Sequence, residues 1–311
     1  MEIVHTTVMG GEALEYLAPD RPDALLIDCT LGEGGHSELF LRAHPGLRVV
    51  GLDADSSMLD KARVRLAGFG ARFEARLAWF DDFFRSYPLD RRPDRILFDL
   101  GVSMVHFSTA ERGFSLRGEG PLDMRLDPSQ GRTAADLVNQ LPETELADLI
   151  FELGEERYSR RIARAVARRR AERRLSSTSE LAELIYGAVP AAYRRSRIHP
   201  ATRSFQALRI AVNRELERLQ TALPAAFAVL APGGRLGALA FHSLEDRIVK
   251  RSFLALAGGF TGAENEPKFS SDPSSAGKIL TRKPLRPSPQ ETAANPAARS
   301  ACFRVIEKVG S

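Results

Sequence analysis

The sequence predicts an α/β protein, a doubly wound parallel sheet interrupted by an all-helical insertion. Three observations carry that expectation. Short apolar runs alternate with helical stretches from residue 24 to 99, the alternation stops between about 108 and 200, and it resumes at an APGG turn (231–234) followed by RLGALAF (235–241). Strands that follow one another through helices must cross over, and crossovers cover both sheet faces, so the strands read as unbroken apolar runs.

The elements run in order along the chain. ALLID (24–28) is the first strand; it ends in an acid and a glycine-rich turn, and a helix runs from Gly35 through Ala43. LRVVGLD (47–53) pairs with a helix over 56–67, RFEAR (72–76) with one over 80–87, and RILFD (95–99) leads into a glycine and a loop. A Gly/Pro-rich loop (113–131) opens the insertion. Leu146, Leu149, Ile150 and Leu153 mark one of its helices, and Ser177 with Glu180 predicts a capping box ahead of another that carries Leu181, Leu184 and Ile185. One long helix carrying Phe205, Leu208, Val212, Leu216 and Leu219 then leads through 225–230 to the APGG turn. A helix over about 244–256 and a last strand ACFRVIEK (301–308) complete the sheet, and the Gly/Ser/Pro-rich 258–300 reads as a loop or flap. The expected division is 1–107 with 214–311 for the sheet domain and 108–213 for the helical insert.

Composition narrows the class. The 311 residues are 43% hydrophobic and 27% charged, enough to bury a sizeable core. Two cysteines, Cys29 and Cys302, exclude a disulfide scaffold. No apolar run reaches the roughly 18 residues of a membrane span, and the N-terminal stretch has no secretory or transit character, so a cytoplasmic protein without a membrane partner is expected. The net charge of +4 hides a clustering: nine arginines and one acid, Glu172, lie between Arg157 and Arg174. On a helix Arg157, Arg160, Arg164 and Arg168 share a face opposite Tyr158, Ile162, Ala165 and Val166. Arg194, Arg195, Arg197 and Arg203 follow. Such a surface is either a solvated face or a phosphate-contacting one.

In an open parallel sheet a ligand sits beyond the carboxyl ends of the strands where their order reverses, here strands one and four. DCTLGEGGH (28–36) lies there, with Gly32, Gly34 and Gly35 allowing close approach. Asp53 ends the second strand, where a carboxylate can accept both hydrogen bonds of a ribose diol; its other reading is an N-cap, a job open equally to Asp55 and Ser56. The loop lacks a G-x-G-x-x-G spacing, since Ser37 stands three after Gly34, so an adenosine-type ligand without a pyrophosphate, S-adenosylmethionine, fits better than a dinucleotide.

At these residues the chain resembles the RsmH (MraW) family of bacterial small-subunit rRNA cytosine-N4 methyltransferases. The likeness spans nearly the whole chain through DCTLGEGGHS (28–37), DLGVS (99–103), RGFSLRGEGPLDMRLD (112–127), HPATRSFQALRIAVN (199–213), APGGRLGALAFHSLEDRIVKR (231–251) and NPAARSA (295–301). The resemblance implies a class I, Rossmann-like methyltransferase domain with an inserted helical, RNA-recognising domain. It implies cofactor contacts at Gly34, Gly35, His36, Asp53 and Asp99, with Phe80 covering the adenine. His106 stands where the family often has a glutamine against the cofactor. HTTV (5–8) departs from His-Val-Pro-Val, and Arg214 replaces a common Asp. The implied partner is small-subunit (16S) rRNA or the assembled small ribosomal subunit, with a decoding-centre cytosine as target; the oligomeric state, homodimer included, is open.

An exocyclic cytosine amine is a poor nucleophile because its lone pair is delocalised, so acceptors must draw its hydrogens and hold it in line with the methyl group. The Asn/Asp/Ser-Pro-Pro-aromatic motif common in amino-methyltransferases is replaced here by DLGVS. Candidates for the acceptor are therefore Asp123, His242 and Ser103. Each has a structural alternative: an Asp123 ion pair with Arg125 or Arg117, a buried His242, a turn at Ser103. Cys29 reads as packing, since N-methylation needs no covalent nucleophile. A small-molecule methyltransferase and a non-catalytic RNA-binding assembly factor remain the competing readings, the first disfavoured by the arginine-rich insert.

Overall fold

The computed structural model describes residues 7–88, 90–116, 118–258 and 276–310. The chain forms two compact units, Met1–Gly101 with Leu216–Ser311, and Val102–Glu215.

The first unit is built on a seven-stranded sheet in the order β3-β2-β1-β4-β5-β7-β6. Its strands are β1 (Leu25–Asp28), β2 (Arg48–Asp53), β3 (Phe73–Leu77), β4 (Arg95–Asp99), β5 (Arg235–Ala240), β6 (Gly277–Ile279) and β7 (Cys302–Lys308). The first five are mutually parallel. The sheet is not parallel throughout, because β7 runs antiparallel to β5, and β6 antiparallel to β7. Its helices are α1 (Gly10–Tyr16), α2 (Gly35–Ala43), α3 (Ser56–Leu66) and α4 (Phe80–Arg85), then, in chain order after the inserted unit, α12 (Glu215–Val229), α13 (Ser243–Leu256) and α14 (Pro289–Ala294). Successive residues of a strand face opposite layers. Ile96 and Phe98 accordingly join Leu219, Leu223 and Phe253 in one core, while Leu97 joins Phe40, Leu59 and Leu66 in the other.

The stretch expected to be a loop, 258–300, is corrected in part. Residues 259–275 lie outside the described residues, but β6 and α14 form in the stretch from 276 to 300. Three residues are too short for a readable alternation. β6 exists because β7 offers it a ladder, and Gly277 fits there since a Cβ would come within 2.8 Å of Ile306 Cδ1.

The second unit holds α5 (Met104–Ser108), α6 (Ala134–Gln140), α7 (Glu143–Gly154), α8 (Ser159–Glu172), α9 (Thr178–Ala188), α10 (Ala191–Arg194) and α11 (Thr202–Asn213). Leu146, Ile150, Ile162, Val166, Leu181, Ile185, Phe205 and Leu208 form its core with Leu122 and Met124. Two expectations are corrected here. The single long helix is two, α11 and α12, because Arg214 takes a left-handed φ of 53°. The predicted capping box is half formed: Ser177 Oγ accepts from the Glu180 amide, while the Glu180 carboxylate pairs with Arg169 and Arg173. The side-chain charge had a stronger partner than the backbone amide it was expected to take.

Candidate active site

The ends of β1, β2 and β4 put three carboxylates on the carboxyl edge of the sheet. β1 lies between the other two strands, so Asp53 and Asp99 flank the loop that leaves Asp28. That loop is sewn to both neighbours. Cys29 N donates to Leu97 O, Leu31 N to Leu52 O, Gly32 N to Asp53 Oδ2 at 2.8 Å, and Asp99 N to Thr30 Oγ1 at 2.7 Å. Gly32 and Gly34 adopt positive φ values of 52° and 82°, the region where a side chain is strained, and a Cβ on Gly34 would lie 2.9 Å from Leu66 Cδ1. Gly35 opens α2, and a Cβ there would meet Thr7 Oγ1 at 2.5 Å. The first amides of α2 have no carbonyl four residues back within the helix, so they face the loop as donors.

Asp53 is partly exposed and does more than await a ligand. Its Oδ1 accepts from the Asp55 amide at 2.9 Å while Oδ2 holds Gly32, so it braces the loop it borders. The N-cap of α3 is Asp55, whose carboxylate accepts from Ser57 N. The alternative reading of Asp53 as that cap is therefore set aside.

His36 turns inward. It is 5% exposed, with Nδ1 3.2 Å from Asp99 Oδ2 and Nε2 3.1 Å from the Val8 carbonyl. Both partners are acceptors, so both nitrogens are satisfied only as N–H, in the imidazolium. Burial alone pulls the His36 pKa down, but Asp99, Asp28 and the Val8 carbonyl outweigh it and raise the pKa above the usual value. Both ring nitrogens are thus taken by protein acceptors. Of the HTTV stretch only Thr7 and Val8 are described, and Val8, which keeps the residue of the family pattern, lends its backbone carbonyl to His36.

Asp28 closes the network. It is 1% exposed, accepts from Ser37 Oγ at 2.7 Å and from Thr30 N at 3.3 Å, and burial pushes its pKa up against the favourable charge of His36. Asp99 Oδ1 is buried and has no hydrogen-bond partner among the described residues. Phe80, at the start of α4, stands edge-on to Phe98 with centroids 5.4 Å apart, and Asp81 beside it pairs with Arg218 at 2.6 Å.

The remaining predicted residues each have local partners of their own. Ser103 caps α5, its Oγ accepting from Val105 N at 3.3 Å. His106 is 4% exposed and packs on Phe114 with centroids 5.2 Å apart. Asp123 is gripped by Arg125, with Nε–Oδ1 and Nη2–Oδ2 both 2.8 Å. Burial raises the Asp123 pKa, but the Arg125 hydrogen bonds and charge prevail and hold it below the ordinary carboxylate range. His242 caps α13: Nδ1 accepts from Glu245 N, and Nε2 lies 3.1 Å from Glu245 Oε1. Cys29 is 2% exposed in the core, and burial drives its thiol pKa well up.

A family model described as the MraW methylase family matches residues 2–309. The chain belongs to the MraW methylase family. A protein of Treponema denticola named ribosomal RNA small subunit methyltransferase H is 51% identical over 310 residues, covering 99% of this chain and 98% of that one. A protein of the same name from Thermobifida fusca is 47% identical, covering 98% and 93%. A solved rRNA methylase from Streptococcus thermophilus aligns over 97% of this chain and 94% of its own at 11% identity and a TM-score of 0.43, too loose a likeness to carry an argument. The five parallel strands of the sheet keep the 3-2-1-4-5 order of a doubly wound, Rossmann-type sheet.

The cofactor of this methylase is S-adenosylmethionine. The residues present fit it. A loop in which Gly34 and Gly35 leave no room for a side chain, two carboxylates flanking it and the orphaned buried Asp99 Oδ1 suit a ligand rich in N–H and O–H donors. Sequence reading missed Thr30, Asp28 and Ser37, which act through one another underneath the loop. Their only signal was their presence inside DCTLGEGGHS. It also missed Asn213, whose Nδ2 donates to Met124 O and whose Oδ1 accepts from Leu126 N, both at 2.8 Å, fixing the turn that carries Asp123.

Proposed function

We propose that the protein transfers a methyl group from S-adenosylmethionine to the exocyclic N4 of a cytosine in small-subunit (16S) rRNA, at the decoding centre. The observation that carries the methyl-transfer reading is the pair Asp53 and Asp99 on either side of the glycine loop, with Asp99 Oδ1 left for a ligand donor. The name of the Treponema denticola relative supports rRNA as the acceptor. The cytosine N4 and the decoding centre rest on the resemblance of the chain's motifs to those of the family.

In this reading Asp53 accepts from the ribose hydroxyls, the opening amides of α2 meet the carboxylate end of the ligand, and Phe80 covers the adenine. Asp99 accepts at Oδ1 while His36 holds Oδ2, so the imidazolium positions the carboxylate and lowers the cost of burying its charge. The bound cofactor supplies an electrophilic methyl on a sulfonium.

Asp123 is assigned to the target amine. Arg125 keeps it anionic and fixes its orientation, and a carboxylate has lone pairs beyond the two that the guanidinium takes. A fixed anion stabilises positive charge as it grows on nitrogen, an interaction stronger in the transition state than in the ground state. His242 is the weaker candidate, since its Nδ1 lone pair already serves the helix cap. Ser103 likewise spends an acceptor on α5.

Radioactive methyl transfer to intact small subunits, naked rRNA and free nucleosides tests the reading, with nucleoside mass mapping of the product. N4-methylcytidine in subunit RNA is expected. Label on free nucleosides alone, or no transfer despite RNA binding, would overturn it.

A further inference from the structure

The helical unit carries a concentration of chemistry that methyl transfer does not use. Between Leu184 and Arg214 the sequence holds six arginines and no acid. On α9 the Tyr186 ring is 43% exposed and stacks on His199, centroids 6.0 Å apart and planes 24° from parallel. The Arg194 guanidinium lies 5.0 Å over the same ring, held there because Nε donates to Val189 O and Nη2 to Gly187 O. His199 is exposed, and its Nδ1 accepts from the Ala201 amide, which leaves the proton on Nε2 without a partner among the described residues. Arg195 and Arg197 between them are exposed, and neither side chain makes a hydrogen bond or ion pair among the described residues.

The same alternation of ring and guanidinium continues at the start of α8. Tyr193, next to Arg194 on α10, meets Tyr158 at 4.9 Å, and Arg157 lies over both rings at 5.3 and 4.8 Å. The Tyr193 hydroxyl is anchored on Glu156, a fully buried carboxylate, at 2.6 Å.

A latch between α9 and α10 accounts for Arg194 on Tyr186. It does not account for a stacked pair of rings open to water beside two unpaired guanidiniums. Aromatic faces accept unstacked bases, and guanidiniums accept phosphates. A duplex hides its base faces, so the surface suits an unpaired strand. We infer that Tyr186 and His199 form a base-stacking platform for single-stranded RNA, with Arg195 and Arg197 on its phosphates. The inference rests on the rRNA reading above and adds which part of this chain holds an unpaired nucleotide of the substrate.

Anisotropy of a labelled single-stranded oligoribonucleotide on the full-length protein, with the matching duplex alongside, tests it. Tyr186→Ala is expected to weaken single-strand binding by about five- to a hundredfold, the range for losing one stacked base. Tyr186→Phe keeps the ring and should stay within about twofold. His199→Ala, on an exposed residue, gives a second variant with a loss in the same direction. Arg195→Gln and Arg197→Gln should each flatten the salt slope by about 0.7. Unchanged S-adenosylmethionine affinity by calorimetry certifies the fold of each variant. Wild-type single-strand affinity in both Tyr186→Ala and His199→Ala would overturn the platform, as would equal losses for duplex RNA or for polyglutamate, which would make it a general charged surface. Failure of the wild type to methylate small subunits would instead overturn the rRNA reading, and the two failures are read in different assays.

Discussion

The carboxyl edge of β1, β2 and β4 and the surface of α8 to α10 are both crowded with charge, and they handle it in opposite ways. At the sheet edge Asp28, His36 and Asp99 are wholly or largely buried, Asp28 held by Ser37 and Thr30 and His36 joined to Asp99, at 2.7–3.3 Å. On α8 Arg160, Arg161 and Arg168 are exposed and unpaired among the described residues, and Arg164 has only a 3.6 Å approach to Glu143. Buried charge in a low dielectric is demanding in geometry, because each group must have its partner. Exposed charge acts through its field, tolerates imprecise placement and is screened by salt. The first arrangement suits a small ligand held in one pose; the second suits a polyanion met along many phosphates.

Four experiments would break or sharpen that contrast. The largest effect is expected from Asp123→Asn, which keeps the shape and removes the charge. It should lower kcat about a hundredfold or more with cofactor and RNA affinity little changed. Single-turnover methylation within about threefold of wild type would return Asp123 to its ion pair with Arg125 as a purely structural residue.

Next is Asp53→Ala. It loses two hydrogen bonds to the ribose, each worth roughly 1.5–3 kcal/mol when its partner is buried, as well as the brace on Gly32. S-adenosylmethionine should bind about tenfold to several hundredfold more weakly by calorimetry. Equal affinity in a folded variant would remove Asp53 from the site.

On the exposed side, replacing Arg160, Arg164 and Arg168 together by Gln should weaken RNA binding at every sequence. The slope of log affinity against log salt should fall by about one for each lost phosphate contact, with cofactor affinity untouched. An identical slope would make the α8 face a solvated one.

The smallest effect is a pH signature at His36. Its folded pKa is raised, so the stability it contributes is complete below its ordinary value of about 6.5 and is lost as pH rises through the folded value. His36→Gln should therefore fall short of wild type most at pH 6 and least at pH 9 in denaturant unfolding. A gap independent of pH would mean that the ring is neutral and its bond to Asp99 is an uncharged one.

Much of this protein is readable without coordinates. The strands from ALLID to RILFD, the helix from Gly35 to Ala43, and the break in rhythm after Asp99 follow from apolar period, glycine and acid, all local properties of the chain. The acids that end β2 and β4 could be named for the same reason, since a parallel sheet collects strand ends on one edge. Tertiary structure decided what those residues touch. It set the His36 ring between Asp99 and Val8, spent Ser103 and His242 on helix caps, made β6 a strand through its partner β7, and broke one apolar helical stretch at Arg214. It also brought His199 onto Tyr186, 13 residues earlier in the sequence. Period and composition report a residue's neighbours along the chain, whereas hydrogen-bond partners and stacked rings are set by segments that meet only after folding, where buried donors and acceptors pair with what the neighbouring segments offer.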